Sequence, residues 1–206
     1  PKEKKENPKQ KSPWEINIKK LELNNTNAHL GLNSAKQDIK VGALNVNVNK
    51  IDLNSLLFDI NKIEIKNTNY VADFRNNGPK KERQPIDPNI FPLNTLPVSI
   101  QCKTLLINNT NADILTKEVD MPLEQFNPQH IIAQNINLDF RKVVVDSTQA
   151  SVTAKKLSIF LGEYININAL SGKLKFAENE TSATDFNFNT DSVSYTHLRA
   201  HETTSH

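Results

Sequence analysis

Apolar and polar residues alternate along most of the chain, and the alternation recurs in an eight-residue phrase that occurs five times. Each copy begins with two apolar residues separated by a polar one. Two consecutive residues, of which the second is Lys, then interrupt the alternation before it resumes. The copies are residues 16–23 (INIKKLEL), 46–53 (VNVNKIDL), 58–65 (FDINKIEI), 138–145 (LDFRKVVV) and, more weakly, 152–159 (VTAKKLSI). A period of two predicts β-strands with one apolar and one polar face.

The two-residue interruption changes the face that the following apolar residues occupy, because side chains alternate along a strand. The backbone must therefore bulge, bend or turn at each interruption if the apolar residues are to share one face. None of the interruptions contains Gly, which disfavours tight two-residue hairpin turns there. We expect an all-β protein built as an elongated, curved antiparallel sheet, with charged loop insertions.

A second repeat is an Asn-Thr-Asn motif at residues 24–27, 66–69 and 108–111, at intervals of 42 residues. Each copy follows a pair of apolar residues. Self-similarity at a fixed period predicts a repetitive architecture in which each unit stacks on its neighbours. Asn and Thr side chains hydrogen-bond to nearby backbone, so we interpret the motif as turn or strand-end chemistry rather than as a ligand site.

Composition divides the chain into three parts. Residues 1–13 contain five Lys and two Glu, which is typical of a solvated, disordered basic linker. Residues 14–191 form the repetitive β-rich segment, interrupted by a charged loop at 76–88 and a Pro-containing break at 120–130. Residues 192–206 lack the pattern and resemble a translated sequencing-library adapter, so we interpret them as adapter-derived and omit them from the fold prediction. The chain begins without Met, and we interpret it as an internal fragment of a longer protein.

The sequence contains few signs of catalysis. It has no Gly-rich phosphate loop, no nucleophile elbow and no spacing of His and carboxylates that would place a base beside a nucleophile, so we expect neither an enzyme nor a cofactor. Outside the tail only His29 and His130 remain, which argues against a metal site. The single Cys102 excludes a disulfide within the chain. No apolar run is long enough to span a membrane, and no basic surface interleaved with aromatic residues indicates nucleic acid as a partner.

Several of these segments resemble a known family. Residues 13–27 (PWEINIKKLELNNTN) are similar to the opening of a repeat in TamB-type translocation and assembly proteins of the AsmA-like superfamily, in the style of its Bacteroidota branch. Later segments support the resemblance, namely residues 126–132 (FNPQHII), 136–138 (INL), 156–159 (KLSI) and 167–174 (INALSGKL). The resemblance implies a long, folded-over sheet, called a β-taco, with an apolar gutter along its length. It also implies a location in the periplasm, as part of a protein whose inner-membrane anchor is expected outside this fragment.

The function implied by the resemblance is conduction of phospholipid acyl chains along the gutter between the inner and outer membranes, in support of outer-membrane biogenesis. Phospholipid is the expected partner, and outer-membrane assembly proteins are a further one. The candidate lining residues are the apolar members of the repeated phrases and of the segments near them: Ile16, Ile18, Leu44, Val46, Val48, Ile60, Ile63, Ile65, Ile136, Leu138, Phe140, Leu157, Ile159, Ile165 and Ile167.

Two other interpretations stay open. The same apolar residues would fill the core of an ordinary sandwich, in which case the protein is a structural or adhesive β-repeat without cargo. A third function uses the edge of the sheet, where a strand of an unfolded outer-membrane protein would pair with exposed backbone, as on a chaperone.

Overall fold

The protein folds as one curved sheet, and the prediction of an all-β, curved architecture is confirmed. The computed structural model describes residues 17–32, 35–75, 91–117, 127–162 and 165–191, together with the backbone of 194–202. Three of the predicted features lie wholly outside the described residues: Ile16, the basic linker 1–13 and the charged loop 76–88. Of the Pro-containing break at 120–130, only residues 127–130 are described.

The described residues contain ten strands and one short 3-10 helix, Pro92–Thr95. The strands are β1 (Lys20–Leu32), β2 (Ala35–Asp52), β3 (Leu57–Lys66), β4 (Asn69–Asp73), β5 (Ser99–Leu115), β6 (His130–Val145), β7 (Gln149–Leu161), β8 (Ile165–Ala177), β9 (Glu180–Thr190) and β10 (Ser194–Glu202). The last strand falls in the tail that the sequence prediction omitted, where its backbone pairs with β9.

The strand order is β1-β2-β3-β5-β6-β7-β8-β9-β10, and β4 pairs with both β2 and β5. Because β3 and β4 lie one after the other between the same two neighbours, the ten strands fill nine positions in the sheet. All pairings are antiparallel except those of β5 with β3 and β4, which are parallel. The sheet is therefore mixed, and the parallel pairing follows from the long connection between β4 and β5, which returns the chain to the end at which β3 begins.

The 42-residue repeat determines the register of this parallel pairing. Phe58 lies opposite Ile100, Ile63 opposite Leu105 and Ile65 opposite Ile107, each pair separated by 42 positions in sequence. The same offset continues from β4 to β5, where Asn69 lies opposite Asn111. Equivalent residues of successive repeats are therefore direct neighbours in the sheet, as the predicted stacking requires.

A first line of backbone irregularity crosses the sheet at the two-residue interruptions of the repeated phrase; we call it the first crease. Register shifts mark it at residues 47–50 of β2, 60–62 of β3 and 154–157 of β7. In β6 the interruption contains Lys142, whose φ is 52°, and the pairing with β7 shifts there. The prediction of a bulge or bend is thus confirmed at four of the five interruptions. The remaining interruption is Lys19 and Lys20, which lie where β1 begins rather than inside a strand.

A second line of irregularity, the second crease, follows the Asn-Thr-Asn motifs. Asn25, Asn67 and Asn109 are the second residues of the three copies, and their φ values are 47°, 49° and 48°. The prediction of turns or strand ends is correct only for the copy between β3 and β4. In β1 and β5 the motif lies inside a continuous strand, because Asn adopts the left-handed conformation readily enough to bend a strand without ending it.

The sheet forms no closed core among the described residues. Its buried apolar residues are small: Ala35, Ala72, Cys102, Ala133 and Ala154. No large side chain is fully buried in the described part of the chain, and several large apolar side chains remain about 40% exposed. No second layer of structure within the described part of the chain buries these side chains, so the apolar face is largely open there.

Candidate functional site

Two transverse rows of apolar side chains cross the sheet between the creases. Residues directly opposite each other on paired strands share a face, so the strand register defines each row. Row A consists of Leu23, Leu44, Ile65, Ile107, Leu138, Leu157, Leu170 and Phe188, one from each of eight strands. Row B consists of Leu21, Val46, Ile63, Leu105, Phe140 and Ala154, followed by Gly172. The two rows lie two residues apart in most strands and so form one apolar face.

Row B continues past Gly172 because an aromatic ring takes the space of the missing side chain. A Cβ atom at Gly172 would lie 2.6 Å from Cδ2 of Phe186. The φ of Gly172 is 154°, a backbone conformation that other residues rarely adopt. The ring of Phe186 on β9 thus extends the apolar surface where β8 itself provides no side chain.

The opposite face of the same strands is polar except at Leu106. The residues between the two rows are Glu22, Asn45, Glu64, Leu106, Asp139 and Lys156, which lie opposite one another across six strands. Glu64 lies between two cations, with its carboxylate oxygens 3.1 Å from Lys66 Nζ and 3.3 Å from Lys62 Nζ. The hydrogen bond from Lys66, followed by that from Lys62, lowers the pKa of Glu64 below its ordinary value. One face is therefore suited to apolar material and the other to water.

Seven of the predicted lining residues lie in the two rows. Row A contains Leu44, Ile65, Leu138 and Leu157, and row B contains Val46, Ile63 and Phe140. Their faces could not be assigned from sequence, because the effect of each interruption on the alternation depends on local backbone geometry.

The remaining predicted lining residues lie elsewhere. Val48 and Ile60 face each other across the first crease, next to Cys102. Ile159 lies opposite Ile167, and Ile165 opposite Leu161, near the end of β7. Ile136 lies opposite Thr110 beside the second crease, and Ile18 precedes β1 with 44% of its surface exposed.

Several residues of the rows were not among the predicted lining residues. Leu21 and Leu23 in β1, and Leu105 and Ile107 in β5, are separated by 42 positions from Ile63 and Ile65. The period of the Asn-Thr-Asn motif would have identified them, since each pair precedes one copy. Leu170 and Phe188 have no such signal, because β8 and β9 contain neither repeat.

The apolar face contains a cavity of about 650 Å³ at the first crease. Residues of five neighbouring strands line it: Leu105, Phe140, Val143, Val145, Ala150, Ser151, Val152, Leu174, Lys175, Phe176, Thr181, Ser182 and Ala183. Phe140 and Val143 are three residues apart and would lie on opposite faces of a regular strand. The left-handed conformation of Lys142 between them brings both side chains to the same cavity.

Metal-ligating side chains do not cluster among the described residues. No group of three or more His, Cys, Asp and Glu side chains among them could hold a metal ion. Two isolated pairs lie on the surface, His29 with Asp38 and His130 with Asp113, the latter with Nε2 and Oδ1 2.8 Å apart. The Cys102 thiol is buried, and this burial raises its pKa.

No family model, curated protein or solved structure matches this chain. No helix among the described residues is long and apolar enough to cross a membrane. The fold and the apolar face are therefore the basis for any functional proposal.

Proposed function

We propose that this chain is a segment of a bridge that conducts phospholipid acyl chains along an open apolar gutter between two membranes. The observation that supports the proposal most strongly is the continuity of rows A and B, which cross seven or eight strands without a charged residue. A continuous surface of this kind lets an acyl chain slide from one repeat to the next without a change in its environment.

The openness of the apolar face favours a conduit over a filled sandwich. Leu21 is 45% exposed, and Leu174 and Phe176 are each 40% exposed. Each methylene that is transferred from water to such a surface contributes about 0.8 kcal/mol. A bound acyl chain would therefore cover the apolar surface that the sheet leaves in contact with water, while a polar headgroup would remain at the open side.

The proposed location is the periplasm, within a protein anchored in the inner membrane, and the bridge would support outer-membrane biogenesis. Outer-membrane assembly proteins are proposed as further partners. A gutter needs no catalytic residue and no cofactor, since the cargo changes its position and not its covalent structure.

The experiment is a transfer assay with the full chain. Donor vesicles contain a fluorescent phospholipid that is quenched until it leaves them, and acceptor vesicles contain none. We expect the chain to bind the phospholipid and to raise the rate of its transfer in proportion to chain concentration. A chain that neither retains phospholipid after separation from vesicles nor changes the transfer rate would contradict the proposal and would favour a structural β-repeat.

A second candidate function concerns the edge of the sheet. Among the described strands β1 pairs only with β2, so one edge of β1 presents unpaired backbone groups over 13 residues. Leu30 on this strand is 44% exposed, which suits an added strand with alternating apolar residues. A peptide of that pattern would bind the chain and protect β1 amides from hydrogen exchange if the edge has this function.

A further inference from the structure

A short segment lies between the charged loop and β5, and we call residues 91–98 the strap. It consists of Phe91, the 3-10 helix Pro92–Thr95, and three residues that lead into Ser99. Its apolar side chains Phe91, Leu93, Leu96 and Val98 are half-buried, whereas Pro92, Asn94, Thr95 and Pro97 are exposed. The apolar side of the strap therefore packs against the protein and its polar side faces water.

The strap reaches across two strands of the sheet. One end of the strap leads into Ser99, the first residue of β5. The backbone N–H of Ser99 donates a hydrogen bond of 3.0 Å to the carbonyl oxygen of Leu56. At the other end, the ring of Phe91 packs on the ring of Phe176 in β8, with centroids 5.0 Å apart and planes at 40°. Since β6 and β7 separate β5 from β8, the strap spans three strand spacings, roughly 14 Å.

The strap crosses this distance beside the apolar cavity. Phe176 lines the cavity, as do residues of β6 and β7 that lie between the two ends of the strap. The 3-10 helix Pro92–Thr95 rises about 2 Å per residue and the other four residues reach about 3.3 Å each, so the strap is long enough to span this distance. The strap therefore meets the rim of the cavity at Phe176.

The side chains that point into the cavity are almost entirely apolar. Alternation along β7, β8 and β9 places Ser151, Lys175 and Ser182 in one transverse row, on the face opposite to Leu174 and Phe176. These three residues thus contribute backbone to the cavity wall. Lys175 is also paired with Glu180, with Nζ and Oε2 2.5 Å apart, so its charge is not directed at a ligand in the cavity.

We propose that the cavity beside the strap is a discrete binding site for a single acyl chain, held by the apolar side chains of the sheet with the Phe91–Phe176 pair at its rim. This inference rests on the proposed function, because it adds a resting position to the gutter. A volume of about 650 Å³ is within the range of about 300–1,000 Å³ that is typical of sites for one small ligand. The apolar walls select a hydrocarbon chain and exclude the charged headgroup, which would remain outside the cavity.

The probe for this site is a sixteen-carbon fatty acid with a photoreactive diazirine at its methyl end, used with the full chain. After irradiation we expect the label mainly on residues 143–152 and 174–183, which form the cavity. We expect Phe91→Ala to raise the dissociation rate of the fatty acid about tenfold, because the Phe91 ring supports Phe176, which lines the cavity. Phe176→Ala should have a similar effect from the other side of the pair.

The matched control is Phe160→Ala, which removes an aromatic ring of similar exposure, 38% against 40% for Phe176, from outside the cavity. Circular dichroism and urea unfolding verify the fold of each variant. Label spread evenly along rows A and B, with equal dissociation rates for Phe91→Ala and wild type, would overturn the site while phospholipid transfer stays intact. A wild-type chain that binds neither fatty acid nor phospholipid would overturn both proposals. A fatty acid bound in the cavity without phospholipid transfer would support the site and contradict the conduit.

Discussion

The side-chain amide of Asn109 donates a hydrogen bond from Nδ2 to Oδ1 of Asn67, 2.8 Å away and 42 residues earlier in the chain. Asn111 makes the same bond to Asn69, also at 2.8 Å. On the next strand Asn137 continues this series of hydrogen bonds. Its Oδ1 accepts a hydrogen bond of 2.9 Å from the backbone N–H of Asn109. Equivalent Asn residues of neighbouring repeats thus hold one another at the second crease, where the strands bend.

Asn109→Ala should destabilise the protein by about 1–2 kcal/mol. The substitution removes the hydrogen bond from Asn109 Nδ2 to Asn67 but keeps the backbone N–H that donates to Asn137. It also places Ala in a left-handed conformation that is unfavourable for it. Asn109→Gly is the matched control, because Gly loses the amide but adopts a φ of 48° without strain. Urea unfolding followed by circular dichroism measures both. Equal stability of the Ala and Gly variants would show that the conformation of the bend contributes nothing.

Gly42 allows β2 to approach the bend between β3 and β4 closely. Its amide donates a hydrogen bond of 3.1 Å to the carbonyl oxygen of Asn67, and a Cβ atom at this position would lie 2.6 Å from that oxygen. We expect Gly42→Ala to lower the free energy of unfolding by roughly 1–3 kcal/mol, because backbone must move apart to accept the methyl group.

The control for this substitution is Gly31→Ala in β1. A Cβ atom at Gly31 would have no heavy atom within 4 Å, so its effect should be within about 0.5 kcal/mol of zero. If both Ala variants unfold at the same urea concentration as the wild type, close packing at the second crease is wrong as described.

The turn between β6 and β7 predicts a dependence of stability on acid pH. The carboxylate of Asp146 accepts hydrogen bonds from the Thr148 hydroxyl at 2.6 Å, the Thr148 amide at 2.7 Å and the Gln149 amide at 3.0 Å. These bonds, with that from the Thr148 hydroxyl first, lower the pKa of Asp146 from its ordinary 3.8. The unfolded chain therefore takes up this proton first as the pH falls.

The stability that Asp146 contributes is complete above its ordinary pKa and is lost as the pH falls through the lower pKa of the folded state. We expect the difference in unfolding free energy between wild type and Asp146→Asn to shrink between about pH 5 and pH 2. Ser147→Ala, in the same turn, should keep the pH dependence of the wild type. A constant difference between wild type and Asp146→Asn over this range would refute the prediction.

The sequence predicted the general architecture because the alternation of apolar residues is a local property of each strand. It could not predict that residues 58 and 100 would become neighbours in a parallel pair, since the pairing of β3 with β5 depends on a long connection. The 42-residue period is the separation of the paired residues in β3 and β5. The same period would also be found in a chain whose repeats are not neighbours in space.

The lining residues were harder to predict, for a physical reason. Phe140 and Val143 share the cavity only because Lys142 adopts a left-handed conformation, and nothing in the residue type Lys indicates that conformation. Leu174 and Phe176 lie in β8, where the repeated phrase is absent, so alternation alone did not distinguish them from other apolar residues. The strap is a tertiary contact between residues 85 positions apart and has no local signal.

The measurement that tests the central proposal most directly is native mass spectrometry of the full chain after incubation with phospholipid vesicles, for the wild type and three variants at two adjacent positions. Val46 lies in row B on the apolar face, and Asn45 lies on the polar face between Glu22 and Glu64. Val46→Asp introduces a charge into the gutter, Asn45→Asp introduces the same charge on the opposite side, and Val46→Thr changes the polarity of the gutter with little change of shape. Circular dichroism verifies that each variant is folded.

We predict that the wild type and Asn45→Asp retain phospholipid, that folded Val46→Asp loses nearly all of it, and that Val46→Thr retains an intermediate amount. Retention by folded Val46→Asp equal to that of Asn45→Asp, or no retention by the wild type, would contradict a lipid-conducting gutter.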